Sequence, residues 1–207
     1  MVILHQINLY AKHFKLEKVL LKSGIDYQSN KVIDDYLLTG NPESVRDIYR
    51  CCQNDIADKM ISLLEMKDNL SVLEPSAGKG MILKKILHYK NHSYCEINTS
   101  FIMDYLCKLS DNFEKYNFLY MARKFDRIIM NPPFSFKEYE KHIVHGYSLL
   151  EKNGIMVFLY PKTANYLQGK DVNFKPLLEI SEQIEVGKVC GDCECVIGKI
   201  IKNKFIC

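Results

Sequence analysis

From Leu70 onward the chain alternates short aliphatic and β-branched runs with stretches whose apolar residues recur at helical spacing, and this alternation constrains the fold most. The strand-like runs are residues 70–73, 93–97, 113–119, 126–130 and 155–160. Helical stretches fall between them at 81–89, at 99–109, and along the stripe Tyr139, Ile143, Tyr147 and Leu150, which Asn153-Gly154 ends. Strands that alternate with helices predict an α/β fold with a mostly parallel sheet. Two more strand-like runs, 183–189 and 195–201, flank Gly191-Asp192 and predict an antiparallel terminal hairpin. Ligands in such sheets bind at the carboxyl ends of the strands.

Ahead of Leu70, a helix is expected near Asn54, which can cap it, with Ile56, Met60, Leu63 and Leu64 on its apolar face. Ile3, Ile7, Tyr10 and Phe14 predict a helix over residues 3–22, and a second is expected over 30–38, stopped by Gly40-Asn41-Pro42. Residues 1–50 therefore read as a small helical appendage to a principal domain at 51–207.

Apolar residues make up 47% of the 207, enough for a substantial core. No apolar run reaches the roughly 18 residues a membrane helix needs. His5, Gln6 and Asn8 interrupt any secretion-type h-region, so a cytoplasmic protein with no membrane role is expected. The net charge is only +3, and neither end carries a basic tail. A phosphate-binding surface must be assembled by folding; Lys79, Lys84, Lys85 and Lys90 cluster locally, which a solvated helix face explains equally well. The eight cysteines are irregularly spaced, and in a cytosolic protein they are expected to be reduced. Cys190-x-x-Cys193-x-Cys195 invites a zinc reading, but it lacks a clear fourth ligand and its alternation suits a strand, so no metal is expected.

Two segments carry the chemistry. The first is Glu74-Pro75-Ser76-Ala77-Gly78-Lys79-Gly80, which runs from a strand into a helix. Glycines there open backbone angles closed to other residues and let a ligand approach the main chain. Gly78-Lys79 is followed by Gly80 rather than Ser or Thr, which disfavours a phosphate-binding P-loop, and G-x-G-x-x-G spacing is absent. Glu96 ends the next strand-like run, 22 residues after Glu74. An acid at that distance can bind the two hydroxyls of an adenosine ribose, the alternative being a plain surface acid.

The second segment is Asn131-Pro132-Pro133-Phe134, directly after the run 126–130. Read blandly, it is a proline loop. Its chemistry, however, suits an amino group whose lone pair is delocalised into a planar ring. The Asn131 side-chain oxygen and the Pro132 carbonyl can accept the two amine hydrogens, the prolines fix the loop, and Phe134 offers a stacking face.

The first segment resembles motif I of class I S-adenosylmethionine-dependent methyltransferases, in the Glu-Pro-Ser-Ala-Gly form of adenine-N6 DNA methyltransferases. The second resembles their (Asp/Asn/Ser)-Pro-Pro-(Tyr/Phe) motif. Motif I first is the γ order, and the similarity, over about residues 52–201, extends to compact phage and mobile-element enzymes. The resemblance implies a Rossmann-like fold with a seven-stranded sheet and S-adenosylmethionine as cofactor. It implies transfer of a methyl group to adenine N6, with double-stranded DNA as partner. It places Glu74, Ser76, Ala77, Gly78 and Gly80 around the methionine part of the cofactor. Glu96 would hold the ribose and Ile97 pack on the adenine. Asn117-Phe118 stands where Asp-Phe is common, so Asn117 would meet the adenine amine and Phe118 stack on the ring. Asn131, Pro132, Pro133 and Phe134 would be catalytic, Asn131 also bordering the cofactor. His142 and His145 read as structural, and Tyr160-Pro161-Lys162 as a lining of the target pocket. Base amines of ribosomal or transfer RNA, a protein glutamine, and a non-catalytic methyltransferase-fold subunit are the alternatives. With few residues after Lys162, sequence recognition would fall to residues 1–50, to nearby loops or to a protein partner.

Overall fold

The computed structural model describes residues 53–98, 101–102, 105–115, 117–134, 138–165, 173–190 and 193–203. The two helices expected in residues 1–50 lie outside the described residues.

Helix α1 (Asn54–Leu63) buries Ile56, Ala57 and Met60, as its spacing predicts. Its cap is Gln53 rather than Asn54, and no side-chain cap bond forms. Gln53 instead donates from Nε2 to the Val189 carbonyl at 2.8 Å, tying the start of the helix to the distal hairpin. At the other end, the buried Arg127 donates from Nε to the Leu64 carbonyl (2.7 Å) and from Nη2 to the Glu65 carbonyl (3.2 Å). These are carbonyls that the helix end itself cannot satisfy.

Strands β1 (Val72–Glu74), β2 (His92–Cys95), β3 (Phe113–Lys115), β4 (Phe125–Met130) and β5 (Leu150–Pro161) pair in parallel. Strands β6 (Glu182–Cys190) and β7 (Cys193–Ile201) form the antiparallel hairpin, and β7 pairs with β5. The seven strands lie in the order β3-β2-β1-β4-β5-β7-β6. Helix α2 (Leu83–Ile86) follows β1, α3 (Glu138–Ser148) joins β4 to β5, and α4 (Phe174–Glu179) precedes β6. Two apolar clusters cover the sheet, one centred on Met60, Val72 and Ile86, the other on Phe118, Ile143 and Phe158. Central strands must therefore be apolar on both faces, and Val72–Glu74 is buried throughout.

Several elements are shorter than expected. The helix after β1 has only four residues. Strand β3 stops at Lys115 because Asn117 caps a 3-10 turn over Phe118–Tyr120, its side chain accepting from the Leu119 N–H at 2.9 Å. Leu150 begins a strand rather than ending a helix, and Asn153 (φ 63°) bulges β5 without breaking it. Among the described residues no helix is long and apolar enough to cross a membrane.

Candidate functional site

Strand order reverses between β1 and β4, the crevice where open α/β sheets hold ligands. Both motif segments leave the sheet there. Val72 pairs with Arg127 and Leu73 with Ile128, so Glu74 lies level with Ile129, two residues short of Asn131. Neighbouring strands are about 4.8 Å apart and two residues span about 6.6 Å. Residues some 50 positions apart in sequence thus meet at one edge of the sheet.

The turn after β1 is built around two acids. Gly78 and Gly80 hold φ of 54° and 80°, in the left-handed region. Glu96, 4% exposed, accepts from the Gly78 N–H at 2.6 Å and from the Asn98 N–H at 2.7 Å. The Ala77 N–H donates to the Cys95 carbonyl at 3.0 Å. Glu74, Ser76, Ala77, Gly78, Gly80, Glu96 and Ile97 are therefore brought together across the ends of β1 and β2. Burial pushes the Glu96 carboxyl above its ordinary value, against the hold of its backbone donors.

Glu74 differs. It is 1% exposed, and among the described residues its Oε2 has no hydrogen-bond partner. Burial, and then the Glu96 charge, push its carboxyl well above the usual carboxylate range, opposed only by the Leu83 N–H. A buried carboxylate oxygen without a donor is costly, so Glu74 is shaped to meet one. Among the described residues a Cβ added at Gly78 would meet nothing within 4 Å, which leaves the turn open to a ligand on that side. The Gly78, Asn98 and Ile97 N–H groups hold the Glu96 carboxylate, and one of its roughly four lone-pair sites is left for a hydroxyl donor. These residues fit a ligand with a polyol at one end and a cationic or N–H group at the other, as the adenosine and methionine halves of S-adenosylmethionine provide.

On the adjoining strand, Pro132 is buried while Asn131, Pro133 and Phe134 are half-buried. The Phe134 ring packs against both core clusters and stands edge-on to Tyr139, at 6.2 Å between centroids and 82°. Tyr139 in turn packs edge-on against Phe174 of α4 at 5.8 Å. The sequence pattern marked Tyr139 only as core and missed α4 altogether, because Pro176 and the short length hide its period.

Two expected residues stand elsewhere. Phe118 is 2% exposed, its ring packed among His142 (5.7 Å) and His145 (4.9 Å) of α3. A ring so enclosed is a core residue, and this corrects the expectation that it stacks on a ligand. Asn117 lies beyond β3 with its oxygen already engaged by the Leu119 N–H. His142 and His145 lie half-buried against Phe118, and burial lowers the basicity of both. Tyr160 is fully buried, while Lys162 pairs with Glu185 at 2.8 Å.

The sequence matches no family model and no curated protein. Solved structures do match. A dimethyladenosine transferase from Plasmodium falciparum aligns at TM-score 0.56 and 20% identity, over 75% of this chain and 64% of that one. TrmN from Thermus thermophilus aligns at 0.57 and 16%, over 76% and 51%. The N-methyltransferase NodS from Bradyrhizobium japonicum, solved with S-adenosyl-L-homocysteine, aligns at 0.57 and 15%, over 84% and 97%. The chain thus spans less than two thirds of the length of the first two. Sheet order and these alignments show the fold: it is the Rossmann-like fold of class I S-adenosylmethionine-dependent methyltransferases.

Proposed function

We propose that this chain transfers a methyl group from S-adenosylmethionine to the exocyclic N6 amine of adenine in double-stranded DNA. One observation carries the reading. The glycine turn, with the donor-seeking Glu74, and the Asn-Pro-Pro-Phe turn leave adjacent strands on the same edge of the sheet. The cofactor supplies an activated methyl on a sulfonium centre.

The chain's own residues do the remainder. Glu96 and the Gly78 turn hold the ribose side, and Glu74 receives the cationic side. Asn131 and the Pro132 carbonyl accept the two hydrogens of the target amine, which localises its lone pair where positive charge develops. The prolines keep both acceptors in place, and Phe134, steadied by Tyr139, offers a face for the base. An adenine inside a duplex cannot reach this edge, so it must leave the stack. The reading keeps a protein partner as one source of sequence specificity.

A second reading keeps the chemistry and places the amine in ribosomal or transfer RNA. The similarity to a protein named dimethyladenosine transferase favours it.

Labelled cofactor offered with duplex DNA and with structured RNA separates the two, N6-methyladenine being read by mass spectrometry. Transfer to RNA alone replaces the first reading with the second, and no transfer to either overturns both. Asn131→Ala is expected to cut transfer by at least about 100-fold, the scale of losing one preorganised hydrogen-bonding group, with cofactor affinity within about threefold. Equal loss of both would show that Asn131 holds the cofactor instead.

A further inference from the structure

We infer that Cys193 and Cys195 form a reversible redox modification site that reacts with peroxide-class oxidants. The inference is independent of the methyl-transfer reading. The two residues sit at alternate positions of β7 and so share one face of the strand. Their sulfurs lie 3.9 Å apart, with the Cys195 thiol donating toward Cys193. Neither is in a disulfide. Their exposure is unequal: Cys193 is partly exposed and Cys195 is fully buried. Cys193 thus meets the oxidant, and Cys195 stands behind it as the resolving thiol, the arrangement that redox-sensing cysteines use.

The chemistry balances with peroxide as the named oxidant. One peroxide oxygen transfers to the Cys193 sulfur, giving a sulfenic acid and one water. The Cys195 sulfur then attacks that sulfur, the S–S bond forms, and the hydroxyl leaves with the Cys195 proton as a second water. Two thiols are oxidised and one peroxide is reduced.

Geometry makes the product labile. Residues two apart on a strand have Cα atoms about 6.6 Å apart, near the top of the disulfide range of about 4.4–6.8 Å. The bond forms only if the strand end tightens, and the ladder is already irregular there, with a register shift between Lys188 and Cys190. Strained disulfides reduce readily. Cys195 pairs across the sheet with Pro161 at the end of β5. Glu194, between the two cysteines, lies 3.8 Å from Lys162, so oxidation alters the same sheet edge that bears the Asn131–Phe134 turn.

Glu194 also supplies the test, because a glutamyl protease cutting after it separates Cys193 from Cys195. The full chain is treated with hydrogen peroxide, capped with N-ethylmaleimide and digested. The expected result is two fragments held together and two hydrogens lighter, with fragmentation assigning the link to Cys193 and Cys195, and release by dithiothreitol. In Cys195→Ser the link is absent and dimedone traps a sulfenic acid on Cys193. Full maleimide capping of both thiols after peroxide overturns the inference, as does a link from Cys193 to Cys190 or to a second chain.

Discussion

Replacing Gly78 by alanine separates the glycine turn's structural role from its binding role. At φ 54° the new residue would sit in the left-handed region, where a side chain costs roughly 1–2 kcal/mol. Among the described residues its Cβ would meet no atom within 4 Å, so they add no steric term. The Gly78 N–H bond to Glu96 is kept, since alanine retains the donor. For a domain of this size, each kcal/mol moves the melting midpoint by about 2–4 °C, giving a fall of about 2–8 °C. Gly80→Ala is the control. It has φ 80° and a Cβ that would lie 2.9 Å from Leu109 Cδ1 and 3.1 Å from Leu106 Cδ2. Overpacking adds about 1–3 kcal/mol to the backbone cost, so its midpoint should fall by about 4–20 °C. In Gly78→Ala the methyl enters the space assigned to the ligand. Affinity for S-adenosyl-L-homocysteine should therefore drop by more than about 30-fold, the equivalent of about 2 kcal/mol. Calorimetric titration and thermal unfolding on the same preparations make the check. Near-normal affinity in folded Gly78→Ala would refute the assignment of the turn. A melting loss equal to that of Gly80→Ala would refute the claim that its Cβ has room.

The Glu74 carboxyl is raised above its unfolded value, so the folded free protein binds the extra proton between those two values. Its contribution is therefore greatest below the ordinary carboxylate range and is lost as pH rises through the raised folded value. Urea unfolding between pH 5 and 8 should show stability falling with pH, and Glu74→Gln should flatten that slope; an unchanged slope would assign it to other groups. The same variant should weaken cofactor binding by roughly 10- to 150-fold, the worth of a hydrogen bond to a charged group at 1.5–3 kcal/mol. Arg127→Ala leaves the Leu64 and Glu65 carbonyls without their buried donor and should cost about 2–4 kcal/mol in urea unfolding. Lysine should not rescue it, because an ammonium cannot reproduce the guanidinium fork. Tyr139→Leu should raise KM for the nucleic acid while leaving cofactor affinity unchanged, since Tyr139 touches Phe134 and not the glycine turn; Tyr139→Phe should restore it.

The parts legible in the sequence were those governed by local rules. Glycines at 78 and 80, an acid at the end of the next strand and prolines after a buried strand each imply a backbone or chemical requirement at one place. Strand identities followed for the same reason, and the hairpin was readable from Gly191-Asp192 between two apolar runs. What was not legible depended on tertiary context. Asn117 reads as a ligand contact in the sequence, and its capping of the 3-10 turn shows only once β3 is seen to stop at Lys115. Phe118 reads as a stacking residue until α3 is seen to cover it. Leu150 fits the period of α3, yet pairs with Phe125 as the first residue of β5. Arg127 carries no motif, and its role exists only because α1 ends above β4.

The two acids of the glycine turn divide the labour in a way neither motif displays. Both are buried, and each charge disfavours the other. Glu96 is compensated within the protein, by the Gly78 and Asn98 N–H groups, so it shapes the turn whether or not a ligand is present. Among the described residues Glu74 has one backbone donor and one unpartnered oxygen, so they leave its charge uncompensated. On the proposed reading a cationic ligand would supply what is missing, and its binding would shift Glu74 toward its ionised form with release of a proton. Proton release measured in weakly buffered calorimetry, over the pH range from the ordinary carboxylate value up to the raised Glu74 value, should therefore accompany cofactor binding in the native chain and vanish in Glu74→Gln. Release that persists in the variant would place the titrating group elsewhere and leave Glu74 with a packing role only.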